Sequence, residues 1–280
     1  KNFGGAIAPL GPSLLIGAFT FGVGMQLANG CGSGTLYTVG GGSGRMLIAL
    51  LFFVIGSVFG SLSLPAFLAL GGVDPVLASD YLGPWGGLAA TLASIAVAAA
   101  LIVAVAKRRG ANYRPPRNYV IGGIAIGLLC VAVFAAGGHP WSVTYGYTLW
   151  GAKIFSALGY DFSHAGFWQW PGNKQALASS VLSDTSSLTD FGMLFGAMAA
   201  AAATKPFASG AWPPAKSLLA AAVGGLLMGW GARLGFGCNI GAFVGGVASG
   251  SLHGWVWFAA ALPGCLIGIR LRPLFGLSRE

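Results

Sequence analysis

Long apolar runs, broken by glycine and by a few charges, organise this chain. The hydrophobic pattern predicts helices at Pro12–Asn29, Met46–Leu70, Gly86–Ala106, Tyr119–Ala136, Thr189–Ala203, Leu218–Leu234 and Trp255–Ile269. Most of these have the length that crosses a hydrocarbon core. A short half-helix is predicted at Ser33–Val39. Between His139 and Gln175 the pattern turns aromatic and mixed, and Trp141, Trp150, Trp168 and Trp170 there suit a membrane–water interface. Within it, Val143–Leu158 is too short and too polar for a clear span and reads as an interfacial or re-entrant helix.

One pattern occurs twice. An apolar helix breaks into a glycine-rich loop around a single cysteine at Gly17–Arg45, and again at Gly224–Ser251. A shift of 207 positions superimposes Gly17 on Gly224, Gly22 on Gly229, Gly24 on Gly231, Leu27 on Leu234, Gly30 on Gly237, Cys31 on Cys238 and Gly34 on Gly241. A repeated GxGxxLxxGCxxG is an internal repeat, and it organises the fold.

Composition turns these helices into membrane helices. Of 280 residues only 8% are charged and 55% are hydrophobic, which a soluble domain cannot bury. The 48 glycines suit close helix packing and broken helices in a bilayer; Gly56 and Gly60 are one turn apart. The net charge of +9 reflects cytoplasmic loops or a field that draws anions, and neither fits a nucleic-acid binder in so apolar a chain. The four cysteines lack the spacing of a disulfide framework, and no cleavable signal peptide is evident. The chain opens on Lys1, which leaves room for a preceding segment.

The main charge run, Lys107–Arg117, reads as a cytoplasmic loop that sets topology. With Val143–Leu158 non-spanning, 11 of the 15 basic residues then fall inside, including Arg45, Lys205, Lys216, Arg270, Arg272 and Arg279, while Asp74, Asp80, Asp161 and Asp184 fall outside. The Cys31 break then opens from the cytoplasm and the Cys238 break from outside. The expected fold is all-α: one polytopic transmembrane domain over residues 1–280, hourglass-like, with two re-entrant glycine-rich loops. Its inverted halves cover about 11–137 and 188–272, and an interfacial segment about 138–187 joins them.

Backbone leaves a helix inside a bilayer only where protein or a cavity covers it, so two facing breaks imply a pathway. Gly30, Gly32 and Gly34 in one loop and Gly237 and Gly241 in the other let the backbone approach a small ligand. The half-helix starts offer N–H groups to an anion. Gln26, Asn29, Ser33, Thr35 and Asn239 add polar contacts, and Arg233 is an intramembrane arginine five residues before Cys238. Matched thiols at Cys31 and Cys238 suggest a ligand whose chemistry suits sulfur: a soft anion, a thiol or a metal.

Elsewhere plainer roles are expected. Cys130 reads as apolar filler, whereas Cys265 stays a pathway candidate because Pro263 and Gly264 loosen its helix. His139, His164 and His253 are expected at the surface or interface, Asp190 as a helix-end charge rather than a proton relay, and the aromatic segment as a membrane anchor.

At the two motifs the chain resembles the YeeE/YedE family of sulfur-transport membrane proteins, which includes thiosulfate-uptake permeases. The likeness rests on GMQLANGCGSGTLY (Gly24–Tyr37) with the GGGSGR after it, on GARLGFGCNIGAFVGG (Gly231–Gly246), and on HPWSVTYGYTLWGAK (His139–Lys153). The resemblance implies an inner-membrane protein that passes thiosulfate to the cytoplasm by hydrogen bonds to successive thiols, Cys31 and Cys238 among them, with no cofactor. It also implies a cytoplasmic sulfur-carrier partner resembling TusA. Family members carry a further functional cysteine in an earlier segment, which no residue here matches. A selenium compound is the alternative substrate. Two rival classes are an intramembrane thiol–disulfide oxidoreductase and a passive channel with two re-entrant loops.

Overall fold

A computed structural model describes residues 3–110, 115–204 and 212–278; Arg114, Lys205 and Arg279 of the charge count lie outside these residues. Twelve α-helices are described: α1 (Pro12–Ala28), α2 (Gly32–Gly40), α3 (Gly44–Leu68), α4 (Ala78–Arg108), α5 (Arg117–Gly137), α6 (Val143–Ala157), α7 (Gly166–Gln169), α8 (Pro171–Ala178), α9 (Thr185–Thr204), α10 (Ala215–Leu234), α11 (Gly245–Ala248) and α12 (Leu252–Leu271). A π-helical turn, Asn239–Val244, leads into α11. Six helical stretches are long and apolar enough to cross a membrane: Pro12–Gly40, Gly44–Leu68, Ala78–Arg108, Arg117–Gly137, Ala215–Ala248 and Leu252–Phe275. The protein is therefore an all-α, multi-pass membrane protein. The span expected at Thr189–Ala203 forms as α9, but it is too polar to stand among the six.

The shift of 207 carries α1, α2 and α3 onto α10, the π turn with α11, and α12. Glycines set the packing, because a bare Cα lets two helix backbones touch. A Cβ on Gly24 would meet Gly224 O and Met228 N at 2.7 Å; a Cβ on Gly231 would meet Gly17 O at 2.7 Å and Phe21 N at 2.6 Å. These are the same contacts shifted by 207, read from the two sides. The α1–α10 crossing is thus reciprocal, as a pseudo-two-fold axis requires. Gly17 lies on Gly235 and Gly224 on Ala28, so α1 and α10 run antiparallel and the two units are inverted. Gly22 and Gly264 seat α12 on α1, and Gly56, Gly225 and Gly229 seat α10 on α3.

Charge separates along the bundle. Arg45 donates to the carbonyls of Leu27 and Ala28 and to Ser217 Oγ, and Arg272 donates to Gln26 O and Asn29 Oδ1 at 3.1 Å each. These guanidiniums satisfy carbonyls that the end of α1 leaves open. At the opposite end Leu10 pairs with Val73, beside Asp74. In α4 only Gly87 is buried, and in α5 no residue is. Their leucines, isoleucines and valines face outward, as lipid contact demands.

The aromatic segment is not a surface anchor. Trp168 is buried and donates to Ser61 Oγ at 3.0 Å, Trp150 stacks on Phe191 with centroids 4.9 Å apart, and Trp141 donates to Asp190 Oδ1 at 3.0 Å. Of its tryptophans, Trp170 keeps an exposed face. Each buried indole has found a polar partner, which a composition-based expectation cannot foresee. His253 is also buried, its Nδ1 2.8 Å from Ser251 Oγ, rather than interfacial.

Candidate functional site

Both broken helices end in the same way. Asn29 has φ 65° and Phe236 has φ 60°, and these two non-glycine residues in left-handed backbone are 207 positions apart. Asparagine tolerates that region; a bulky aromatic does so at a cost. The chain then straightens. Cys31 (φ −85°, ψ −175°) and Cys238 (φ −118°, ψ −164°) are the extended N-cap residues of α2 and of the π turn. Cys31 Sγ accepts the Gly34 N–H at 3.4 Å and lies 3.5 Å from Ser33 Oγ.

The loops meet. A Cβ on Gly32 would lie 3.3 Å from Cys238 Sγ and 3.3 Å from Thr144 Cγ2. The Cys238 sulfur therefore packs against the residue after Cys31, where a side chain would push the sulfur and Thr144 aside by a few tenths of an ångström. Tyr147 Oη donates to Gly32 O at 3.0 Å, which ties α6 to the same point. Gly34 faces Cys31 Sγ, Gly30 faces Met46, Gly237 (φ 150°) folds onto Ala242, and Gly241 faces the backbone of Trp141 and Ser142. Cys31 is half-buried and Cys238 fully buried; all four cysteines are free thiols.

Arg233 does not snorkel. It is 7% exposed, its guanidinium carbon is 5.4 Å from the Phe167 ring centroid and 6.0 Å from that of Tyr145, and its Nε has no hydrogen-bond partner. Six buried side-chain polar atoms among the described residues are unpartnered: Ser57 Oγ, Thr144 Oγ1, Asp190 Oδ2, Arg233 Nε, Asn239 Oδ1 and Trp257 Nε1. Thr144 lies against Gly32, Trp257 against Gly235, and Arg233 and Asn239 flank the second break itself. Unpartnered buried donors cost free energy unless something transient satisfies them. Ser57, Thr144, Arg233 and Trp257 all supply N–H or O–H groups, the complement of an oxyanion. A cavity of about 280 Å3, lined in part by Ser13, Gly72, Asp74 and Phe236, adjoins this break.

Two candidates lie where α1 packs on α12. Gln26 packs against Gly268 and corresponds, through the shift of 207, to Arg233 packed against Gly60. Cys265 sits on α12, its backbone against Gly22 of α1. Residues that the sequence alone did not single out are Ser57, Thr144, Tyr147 and Trp257. The first carries no signal beyond a serine in an apolar helix. Thr144 and Tyr147 fall in a segment whose length and polarity hid its burial.

The profile of a family described as sulphur transport matches residues 4–267. The thiosulfate transporter TsuA of Spirochaeta thermophila is 29% identical over 261 residues, covering 86% of this chain and 72% of TsuA. The probable transporters YedE of Escherichia coli and Salmonella typhimurium are each 31% identical over 154 residues, 54% of this chain. The match spans 37% of each YedE, little more than a third of its length. With a family match over nearly its whole length and two thiol-bearing breaks joined at Gly32, this chain belongs to the sulphur-transport family.

Proposed function

We propose that the protein is an inner-membrane transporter, not an enzyme, that takes up thiosulfate between the Cys238 and Cys31 breaks. The observation that supports this is the packing of Cys238 Sγ against Gly32, the residue after Cys31. The similarity to TsuA supports thiosulfate as the substrate. Arg233 and the buried hydroxyl and indole donors attract the anion as it loses water. At the constriction, S–H groups donate to its oxygens or terminal sulfur. Neutral thiols donate weakly, so the anion is held but released, which conduction needs. Gly30, Gly32, Gly34, Gly237 and Gly241 keep the passage narrow enough for backbone contact. Gln26 and Asn239 supply polar contacts beside each break, and Cys265 a further thiol along α12.

The test is labelled thiosulfate uptake by cells that lack their own sulfur importers. Uptake should appear with the intact chain and resist competition by sulfate by about tenfold or more, because sulfate offers no soft sulfur to the thiols. Equal competition by sulfate would contradict a sulfur-selective path.

A further inference from the structure

Asp190 was expected as a helix-end charge, yet it is fully buried in the second turn of α9. Its Oδ1 accepts from Trp141 Nε1 at 3.0 Å, and its Oδ2 has no partner. Gly146 makes the space: a Cβ there would lie 2.4 Å from Asp190 Oδ2. A carboxylate has about four acceptor sites, and one hydrogen bond leaves most of its charge uncompensated. The neutral acid suits this pocket far better than the anion.

Its position matters as much. The Trp141 that holds Oδ1 presents its carbonyl to Gly241, in the turn after Cys238. Gly146 lies between Thr144, which touches Gly32, and Tyr147, which bonds to Gly32 O. The carboxyl is therefore tied to the second break through Trp141 and to the first through α6. The titratable groups around it are Tyr147 from α6, Cys238 from the second break and Asp184 from the start of its own helix, with Cys31 beyond Tyr147. Lys153 of α6 is engaged elsewhere, donating to Leu177 O and Ser179 O. Among the described residues no cation is paired with Asp190.

We propose that Asp190 is a proton-binding site that couples inward proton movement to anion uptake, an inference that rests on the thiosulfate transport proposed above. Thiosulfate carries two negative charges, and an ordinary inside-negative potential opposes each by roughly 50-fold. An ionised Asp190 beside the breaks repels the anion, and an anion at the breaks favours the protonated acid. Each therefore raises the affinity for the other, a reciprocal linkage. A proton taken up with the anion on one side and released on the other offsets one charge per cycle.

The experiment uses the full chain in liposomes loaded with a pH-sensitive dye. With the intact chain, external thiosulfate should acidify the lumen, and an inward proton gradient should raise labelled thiosulfate uptake about tenfold. Asp190→Asn keeps the bond to Trp141 and should still exchange labelled for unlabelled thiosulfate at equal pH, but lose the response to the gradient. An undiminished response in Asp190→Asn overturns the proposal. So does thiosulfate movement by the intact chain without acidification. An intact chain that exchanges no thiosulfate overturns the transport reading together with the proposal. If Asp190→Asn does not fold, a carbodiimide that reacts with neutral carboxyls is applied to the intact chain. Modification at Asp190 that slows as pH rises supports the site, and none at any pH overturns it.

Discussion

Arg233 places a positive charge inside the protein, and among the described residues no carboxylate is paired with it. It is held by stacking between Tyr145 and Phe167 and by packing on Gly60. A cation kept this way is available to a passing anion. Arg233→Gln should therefore raise the thiosulfate concentration for half-maximal uptake about tenfold or more, with folded protein retained. Arg233→Lys should recover only part of this, because lysine keeps charge but loses the planar stacking. An unchanged concentration dependence in Arg233→Gln would remove Arg233 from the account. At this scale the sequence singles out Cys31, Cys238 and Arg233 as candidates, the thiols because they repeat and the arginine because charge is rare in apolar helices. Asp190, His253 and Trp168 were misjudged. Their burial depends on which helix lies opposite, and that is a tertiary fact a one-dimensional pattern does not carry.

At the scale of elements, the broken helices are fixed by glycine on backbone. Gly224 is tight against Ala28, where a Cβ would lie 2.4 Å from the backbone nitrogen. Gly123, in the lipid-facing α5, has nothing within 4 Å. The two sites make opposite predictions for the same change. Gly224→Ala should lower stability by about 1–3 kcal/mol through overpacking. Gly123→Ala should be neutral or gain up to about 1 kcal/mol from helix propensity. Thermal unfolding of the purified variants in detergent checks both, and equal melting temperatures would contradict the packing described. Hydropathy placed most helices within a few residues, because long apolar runs end at polar loops. It places α6 and α9 as well but not their burial, for one reason: both are polar on the faces they bury, with Thr144 and Thr148 on one and Ser186, Ser187 and Asp190 on the other. Polar faces turned inward look, in sequence, like surface helices.

For the whole molecule, inversion of the two units follows from the reciprocal α1–α10 contacts, and charge follows it. Arg45 and Arg272 gather at one end and Asp74 lies at the other. If the basic end is cytoplasmic, cysteines introduced at Asp74 and at Lys216 in separate variants should react with a membrane-impermeant maleimide from opposite sides. Asp74→Cys should label in intact cells and Lys216→Cys only after the membrane is opened. Labelling of both from one side would contradict the inverted arrangement. The repeat made this architecture legible before any coordinates. The meeting of Cys238 Sγ with Gly32 was not, since nothing in the spacing of two distant motifs says how far apart they fold.

The central claim is that the thiols form the path, and the most direct measurement is the initial rate of labelled thiosulfate uptake into liposomes holding the intact chain, Cys31→Ser or Cys238→Ser. Serine keeps a donor of similar shape but removes the sulfur. The account predicts that each substitution cuts the rate at least about tenfold, a barrier change of about 1.4 kcal/mol, with unchanged folded protein. A rate preserved in either variant would mean that the anion does not depend on that sulfur, and the thiol pathway would be wrong.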